Sequence, residues 1–245
     1  MNNFSTLIMA AGKGTRMKSD LAKVLHKINN RPMVHYVIDI ANEIESQKIV
    51  LIIGHQKEKV MAECKNYDIE FAIQDQQLGT GHAVQMAENI FRDYTGDLLV
   101  LSGDVPLLTS KTLLKLIDTH YQSDAIATLL TANLEDPTGY GRVLRNSEGV
   151  VERIVEHKDA SEEEKMINEI NVGIYIFKSK PLFESLKLIN NDNVQGEYYL
   201  PDVVKLYVDS KEKVVAQLAD NFNETKGIND INQLKEAETI LLSKS

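Results

Sequence analysis

Cysteine is almost absent: Cys64 is the single thiol in 245 residues. No internal disulfide can form, and such usage fits a reducing compartment, the cytoplasm. Cys64 falls in a helical stretch and reads as a structural thiol. Long apolar runs are missing too; none reaches the roughly 18 residues of a membrane span. The first residues carry neither the basic nor the apolar region of a secretory leader. The expectation is a cytoplasmic protein with no membrane partner. Excess positive charge is also lacking. The net charge is −9, which argues against nucleic acid as a partner. No internal repeat or low-complexity segment is visible. Two common phosphate motifs fail as well. A P-loop needs G-x-x-x-x-G-K and then Ser or Thr, but Gly14 is followed by Thr15. A dinucleotide fingerprint needs G-x-G-x-x-G, but Met17 stands at the third glycine.

What is present is a 43% hydrophobic composition, enough for one large α/β domain or a domain with a small subdomain. Apolar runs alternate with amphipathic stretches. Strands are expected at 6–9, 48–53, 69–73 and 97–101. Helices are expected from Pro32, over 58–65, from about Gly81 to Phe91, and over 109–121. This rhythm implies a mostly parallel sheet with helices on both faces. Near Asp124 it changes. Strands at 125–134, from Gly139 and at 150–156 read as a second, β-rich lobe. The chain then returns through a strand at 174–177, helices near 181–189 and 198–208, and a strand at 214–218. A closing helix, 229–242, would be capped by Asn229 or Asp230.

In open α/β sheets ligands sit beyond the carboxyl ends of the strands. Three motifs fall there. The first is Leu7-Ile8-Met9-Ala10-Ala11-Gly12-Lys13-Gly14-Thr15-Arg16-Met17, with Lys23 beyond it. Gly12 and Gly14 allow close backbone approach, successive N–H groups can form an anion nest, and Lys13, Arg16 and Lys23 add charge. A polyphosphate suits that loop; a plain glycine turn with surface cations is the bland alternative. The second is Gln74 with Gln77-Leu78-Gly79-Thr80-Gly81-His82-Ala83. An amide can pair with donor and acceptor on a pyrimidine edge, although alone this stretch reads as a helix cap, and His82 as a helix-face histidine. The third is Leu101-Ser102-Gly103-Asp104-Val105-Pro106-Leu107. A carboxylate at a strand end suits Mg²⁺ completed by phosphates and waters; the alternative is an Asp that caps a turn.

The first motif resembles the signature of sugar-nucleotide pyrophosphorylases, L-A-A-G-x-G-T-R-M followed by P-K. Met9 replaces the usual Leu and Ala22 the usual Pro before Lys23. Four further stretches are Asp136 to Arg142, Ile154 to Ala160, Glu169 to Gly173 and Gln195 to Asp202. In their shared order, through Gly227-Ile228-Asn229, the motifs resemble the uridylyltransferase domain of bifunctional N-acetylglucosamine-1-phosphate uridylyltransferases over nearly the whole chain. The resemblance implies a Rossmann-like, mostly parallel mixed sheet flanked by helices, of the nucleotidyltransferase A type, with a small β-rich sugar-binding lobe. It implies a nucleotidyltransferase domain over 1–229, with a nucleotide lobe at about 1–123 and a sugar lobe at about 124–229, followed by a C-terminal helix, 230–245. It also implies roles. Ala10, Ala11, Gly12, Gly14, Gln74, Gly79 and Thr80 would bind the nucleotide. Arg16 and Lys23 would act on the triphosphate. Thr80, Gly103, Gly141, Glu156, Asn171 and Tyr199 would line the sugar pocket. Asp104 and Asn229 would hold Mg²⁺; Asn229 alone would read as a helix cap.

The implied partners are UTP and N-acetylglucosamine 1-phosphate. A phosphate oxygen of the sugar would attack the α-phosphorus, with Mg²⁺ between the two phosphates, and pyrophosphate would leave. A phosphate dianion needs no activating base, so alignment and charge neutralisation suffice. Rivals are the same chemistry on another sugar 1-phosphate or nucleotide, a non-catalytic nucleotide-sugar sensor, and, with its fingerprint broken, an NAD oxidoreductase. No hexapeptide repeats of a left-handed β-helix occur. The expectations are no acetyl transfer and a monomer or weak dimer.

Overall fold

The structure, a computed structural model, describes residues 3–243. In chain order its strands are β1 (Phe4–Ala10), β2 (Lys27–Ile28), β3 (Arg31–Pro32), β4 (Ile49–Ile53), β5 (Glu70–Ile73), β6 (Asp97–Ser102), β7 (Ala127–Asn133), β8 (Gly141–Arg145), β9 (Val151–Val155), β10 (Glu169–Lys178) and β11 (Val214–Leu218). The helices are α1 (Met33–Glu43), α2 (Lys57–Glu63), α3 (Thr80–Gln85), α4 (Ser110–Ser123), α5 (Glu162–Lys165), α6 (Ser179–Leu186), α7 (Asp202–Asp209), α8 (Phe222–Thr225) and α9 (Ile231–Ser243).

The main sheet runs β11-β7-β10-β6-β1-β4-β5. β5, β4, β1 and β6 are mutually parallel. β10 lies antiparallel between β6 and β7, and β11 is parallel to β7. The strands beyond Asp124 thus extend the same sheet, while β8 and β9 form a ladder off β10. Period-2 alternation explains the apolar runs. Ile8, Leu51 and Leu99 pack on one face with α1, α2 and α4. Leu7, Val50 and Val100 pack on the other with α3, α6 and α7. A strand buried on both faces must be apolar at every position. Each such side chain contributes roughly 1.5–3 kcal/mol of burial. A smaller cluster, Ile28, Met33, Leu107, Ile228 and Ala237, ties α9 to the first half of the chain.

Several helix boundaries differ from expectation. The helix expected to reach Phe91 stops at Gln85. Beyond it, tighter bonds take over, such as Glu88 N–H to Gln85 C=O and Ile90 N–H to Ala87 C=O. Phe91 packs against Phe183 and Tyr94, and that packing, not helix propensity, sets the path. The helix expected from Tyr198 starts at Asp202, because Tyr198 bonds its N–H to Leu78 C=O and its C=O to Gly81 N–H. The closing helix starts at Ile231. Asp230 caps it, accepting from the Asn232 and Gln233 N–H groups. The short α5 was not anticipated; its signal is a Ser161–Glu164 capping box. Cys64 ends α2, and burial pushes its thiol up to about 11. Among the described residues, no helix is long and apolar enough to cross a membrane.

Candidate active site

The carboxyl ends of the parallel strands β1, β4, β5 and β6 lie along one edge of the sheet. β1 delivers Ala10 and Ala11, both buried. Ala11 C=O accepts from His55 N–H after β4, which fixes where the loop leaves the sheet. Gly12 is exposed, with open space where a side chain would go. Gly14 has φ +64°, a left-handed turn that starts the single turn Thr15–Met17. Met17 plugs into the core while Arg16 stays exposed. Gly103 follows β6; its N–H bonds Met9 C=O, and a Cβ there would meet Val24 at 3.1 Å.

Four of the expected residues form one network. Lys23 Nζ donates to Asp104 Oδ2 and, at 2.6 Å, to Asn229 Oδ1. Arg16 Nη2 donates to the same Asn229 oxygen at 2.7 Å. The Lys23 and Asp104 side chains are only 14% and 17% exposed. Asn229 is held in turn by Gln233, which accepts its N–H at 2.7 Å, and by the Gly227 carbonyl, which accepts from Nδ2. Ile228 N–H bonds Asp104 C=O at 2.8 Å. Asn229 is therefore held against Arg16 and Lys23 rather than spent on capping α9. The position of Lys23 depends on Ala22. Gln56 accepts the Ala22 N–H at 3.0 Å and donates to Asp20 C=O, clamping the segment before the lysine. Ala22 itself holds φ −52° and ψ 134°, a conformation proline would share.

Two oxygens from two segments converge on one cation. A carboxylate and an amide oxygen, completed by phosphate and water oxygens, suit a hard divalent ion such as Mg²⁺. The Lys23 ammonium stands in for a cation there, so the donor set fits. No cluster of three or more His, Cys, Asp or Glu side chains able to hold a metal occurs among the described residues.

The pyrimidine-reading candidates form a second group. Gln74 is buried at the end of β5. Its Nε2 donates to Gly79 C=O at 3.0 Å and meets His82 Nδ1 at 3.0 Å. Gly54, not foreseen, brings this group to the glycine loop: a Cβ there would stand 2.6 Å from Gln74 O and 3.1 Å from Ala11 Cβ. Gln77 supports the turn by donating to Gln74 C=O. Gly79 has φ +115°, and a Cβ would lie 2.5 Å from Tyr198 O. Thr80 Oγ1 accepts from Leu200 N–H at 3.0 Å. The base-side loop and the Tyr199 segment thus form one unit.

The third group surrounds β8, β9 and the irregular middle of β10. Gly141 pairs with Asn171 in register. A Cβ at Gly141 would stand 3.3 Å from Glu156 Oε1. Asn171 is buried, donates Nδ2 to Tyr175 OH at 2.6 Å and accepts Gly173 N–H at 3.1 Å, next to a bulge in β10. Glu156 and Tyr199 line a cavity of about 460 Å³ with Asp159, Ile189, Asn193 and Asp202. Burial, then Asp159, Asp202 and Glu197, pushes the Glu156 carboxyl up. Burial, then Asp159, pushes Asp202 up to about 6. Burial pushes the Tyr199 phenol up to about 12. Burial pushes up the phenol of Tyr140, beside Gly141, with smaller effects from Lys226, Asp104 and Arg16. A larger groove of about 1000 Å³ lies at the other end of β6 and is lined by none of the expected residues.

The family description "Nucleotidyl transferase" matches residues 5–233. The chain belongs to the nucleotidyl transferase family. Within it, the chain is 48% identical over 244 residues to the bifunctional protein GlmU of Bacillus mycoides, covering all of this chain and 53% of that protein. It is 49% identical over 245 residues to the bifunctional protein GlmU of Exiguobacterium sibiricum, covering 54% of it. The chain spans about half the length of these curated relatives. A solved UDP-glucose pyrophosphorylase complexed with UDP-glucose superposes with a TM-score of 0.76 and 19% identity, each chain fully covered. That likeness establishes the mixed, mostly parallel sheet flanked by helices as a nucleotidyl transferase fold.

Proposed function

We propose that this nucleotidyltransferase moves UMP from UTP to N-acetylglucosamine 1-phosphate, forming UDP-N-acetylglucosamine and pyrophosphate. The observation that carries the reading is the convergence of Arg16, Lys23, Asp104 and Asn229 in one hydrogen-bonded network. Two polyanions repel each other, and the barrier falls when their charge is met by fixed cations in a shielded cleft. Arg16 and the Gly12–Gly14 loop would hold the β- and γ-phosphates as they leave. Lys23 would sit against the α-phosphate. Asp104 and Asn229 would hold Mg²⁺, which would supply charge neutralisation to the substrate phosphates.

On this reading residues up to about 123 handle the nucleotide, and 124–229 form the sugar side. Ala10, Ala11, Gly54 and Gly79 bring backbone against the base, and Gln74 offers its side-chain carbonyl. Gly103, Gly141, Glu156, Asn171, Thr80 and Tyr199 would surround the amino sugar. A carboxylate and a phenol suit sugar hydroxyls, and Gly141 leaves room beside Glu156. The identity to relatives named as GlmU supports the amino-sugar substrate. A reaction fed by UTP belongs in the cytoplasm, and that location is part of the proposal.

The test is pyrophosphate release with UTP against a panel of sugar 1-phosphates. N-acetylglucosamine 1-phosphate should exceed glucose 1-phosphate and glucosamine 1-phosphate by at least tenfold in kcat/KM. Equal use of glucose 1-phosphate would sink the amino-sugar assignment and leave nucleotidyl transfer standing.

A further inference from the structure

His82 is the third residue of the short α3. Its partner is Gln74. The Gln74 amide has one end that donates and one that accepts. The donating end is spoken for twice, by Gly79 C=O and by His82 Nδ1, each at 3.0 Å. A backbone carbonyl can only accept, so that bond fixes which end of the amide is nitrogen. His82 Nδ1 repeats the instruction as long as that nitrogen carries no proton. Burial lowers the affinity of the ring for a proton, partly countered by the Gln76 backbone. Among the described residues no group donates to Gln74 Oε1, and that atom is not sealed away from solvent.

This orientation has a chemical consequence. Uracil carries a proton on N3, and cytosine does not. A fixed Oε1 accepts from N3–H of uracil and repels the bare N3 of cytosine. Turning the amide over would present NH₂ and reverse the preference. Over Gly79 alone, the turned amide loses one hydrogen bond and faces one carbonyl. With His82 present and its Nδ1 bare of a proton, it loses two and faces two acceptors, in a buried place where a mismatch is expensive.

We propose that His82 is a specificity-determining positioning residue, which holds the Gln74 amide with its oxygen toward the pyrimidine and thereby selects a base that donates from N3. The inference rests on the uridylyl-transfer reading and deepens it. It assigns His82 no contact with substrate.

The experiment compares wild type with His82→Leu and His82→Asn. Leucine has no acceptor. Asparagine can place Oδ1 near the Nδ1 position and keep one. The readout is the ratio of kcat/KM for UTP to that for CTP, with N-acetylglucosamine 1-phosphate as acceptor and Tm recorded alongside. His82→Leu should cut the ratio about tenfold or more, partly through improved use of CTP. His82→Asn should stay within about threefold of wild type. An unchanged ratio in folded His82→Leu overturns the proposal. So does an equal loss with both nucleotides, which marks a merely structural role. If His82→Leu does not fold, the smaller His82→Ala takes its place. A wild-type chain inactive on UTP overturns the uridylyl-transfer reading instead. Calorimetric binding of UTP against CTP by the same variants then still reads the amide orientation.

Discussion

A Cβ added to Gly14 would stand 2.5 Å from Lys23 Cβ. The glycine and the lysine are packed backbone against side chain, and the left-handed φ of +64° at Gly14 closes the gap. Gly14→Ala is therefore strained twice, by contact and by backbone. Lys23 must move, and a displacement of about 1 Å can cost on the order of 100-fold in rate. The expected outcome is a 10- to 100-fold lower kcat with a destabilisation of about 1–2 kcal/mol. Turnover assays paired with urea melts read both. Wild-type turnover in Gly14→Ala would show that Lys23 does not need its present place.

Arg16 is exposed, and its side-chain partner is Asn229. Arg16→Ala should change stability by no more than about 0.5 kcal/mol. Turnover should fall roughly 100- to 1000-fold, the scale of losing one charged group at a transferring phosphoryl centre. Stopped-time pyrophosphate assays and thermal melts separate the two. Near-normal turnover in the folded variant would remove Arg16 from the reaction.

The Gln56 clamp gives a coupled test. Gln56→Ala frees the Ala22 N–H and the Asp20 carbonyl, and kcat should drop about fivefold to 20-fold as Lys23 loosens. Ala22→Pro stiffens the same segment from within, because Ala22 already sits at φ −52°. Proline has no N–H for Gln56 to accept. In the Ala22→Pro background, Gln56→Ala should therefore cost less than threefold. Additive losses in this double-mutant cycle would uncouple Gln56 from the lysine.

Metal removal addresses the Asp104–Asn229 pair. Excess EDTA should abolish turnover, and added Mg²⁺ should restore it. Asp104→Asn keeps the shape and removes the charge that faces Lys23. The Mg²⁺ concentration for half-activity should rise at least tenfold, together with a large fall in kcat. Full activity in EDTA would exclude the metal.

Asp202 offers a pH signature. Burial and Asp159 raise its pKa from 3.8 to about 6. The folded chain thus binds this proton more tightly than the unfolded chain does. Between about pH 4 and pH 6 the unfolded state loses it first, and the contribution of Asp202 to stability declines with rising pH. Asp202→Asn does not titrate. Its stability relative to wild type should rise across that window and level off above it. The group is partly exposed and begins α7, where the helix dipole favours a negative charge. The gain should accordingly be only about 1 kcal/mol after screening. Denaturant melts at pH 4 and pH 7 check it, and a flat difference would refute the raised pKa.

Much of this was legible because two periodicities carried it. The apolar runs at Ile49–Ile53 and Asp97–Ser102 can only be strands buried on both faces, and the carboxyl end of the second then places Asp104, while Gln74 follows the half-exposed β5. The glycine loop announced itself through Gly12, Gly14 and Arg16. Gln56 and His82 were not legible. Each acts through an atom-to-atom bond to a residue distant in function, Ala22 in one case and Gln74 in the other, and residue type alone does not reveal that. The helix past Gln85 failed for a related reason: the packing of Phe91 against Phe183 is tertiary and leaves no local pattern. Asn229 shows the converse. Its neighbour Asp230 took the capping duty that either could perform, which left Asn229 to accept from Arg16.

The antiparallel strand in the middle of the sheet also sets a schedule. β6 finds β1 on one side soon after it is made, but its other neighbour is β10. A ribosome must first deliver β7, β8 and β9, roughly 70 residues, which at about 5–20 residues per second takes on the order of 3–15 s. Throughout that interval Leu98, Leu99 and Val100 present an unpaired apolar edge. Newborn chains are most open to mispairing with one another during this wait, and the late arrival of β10 ends it.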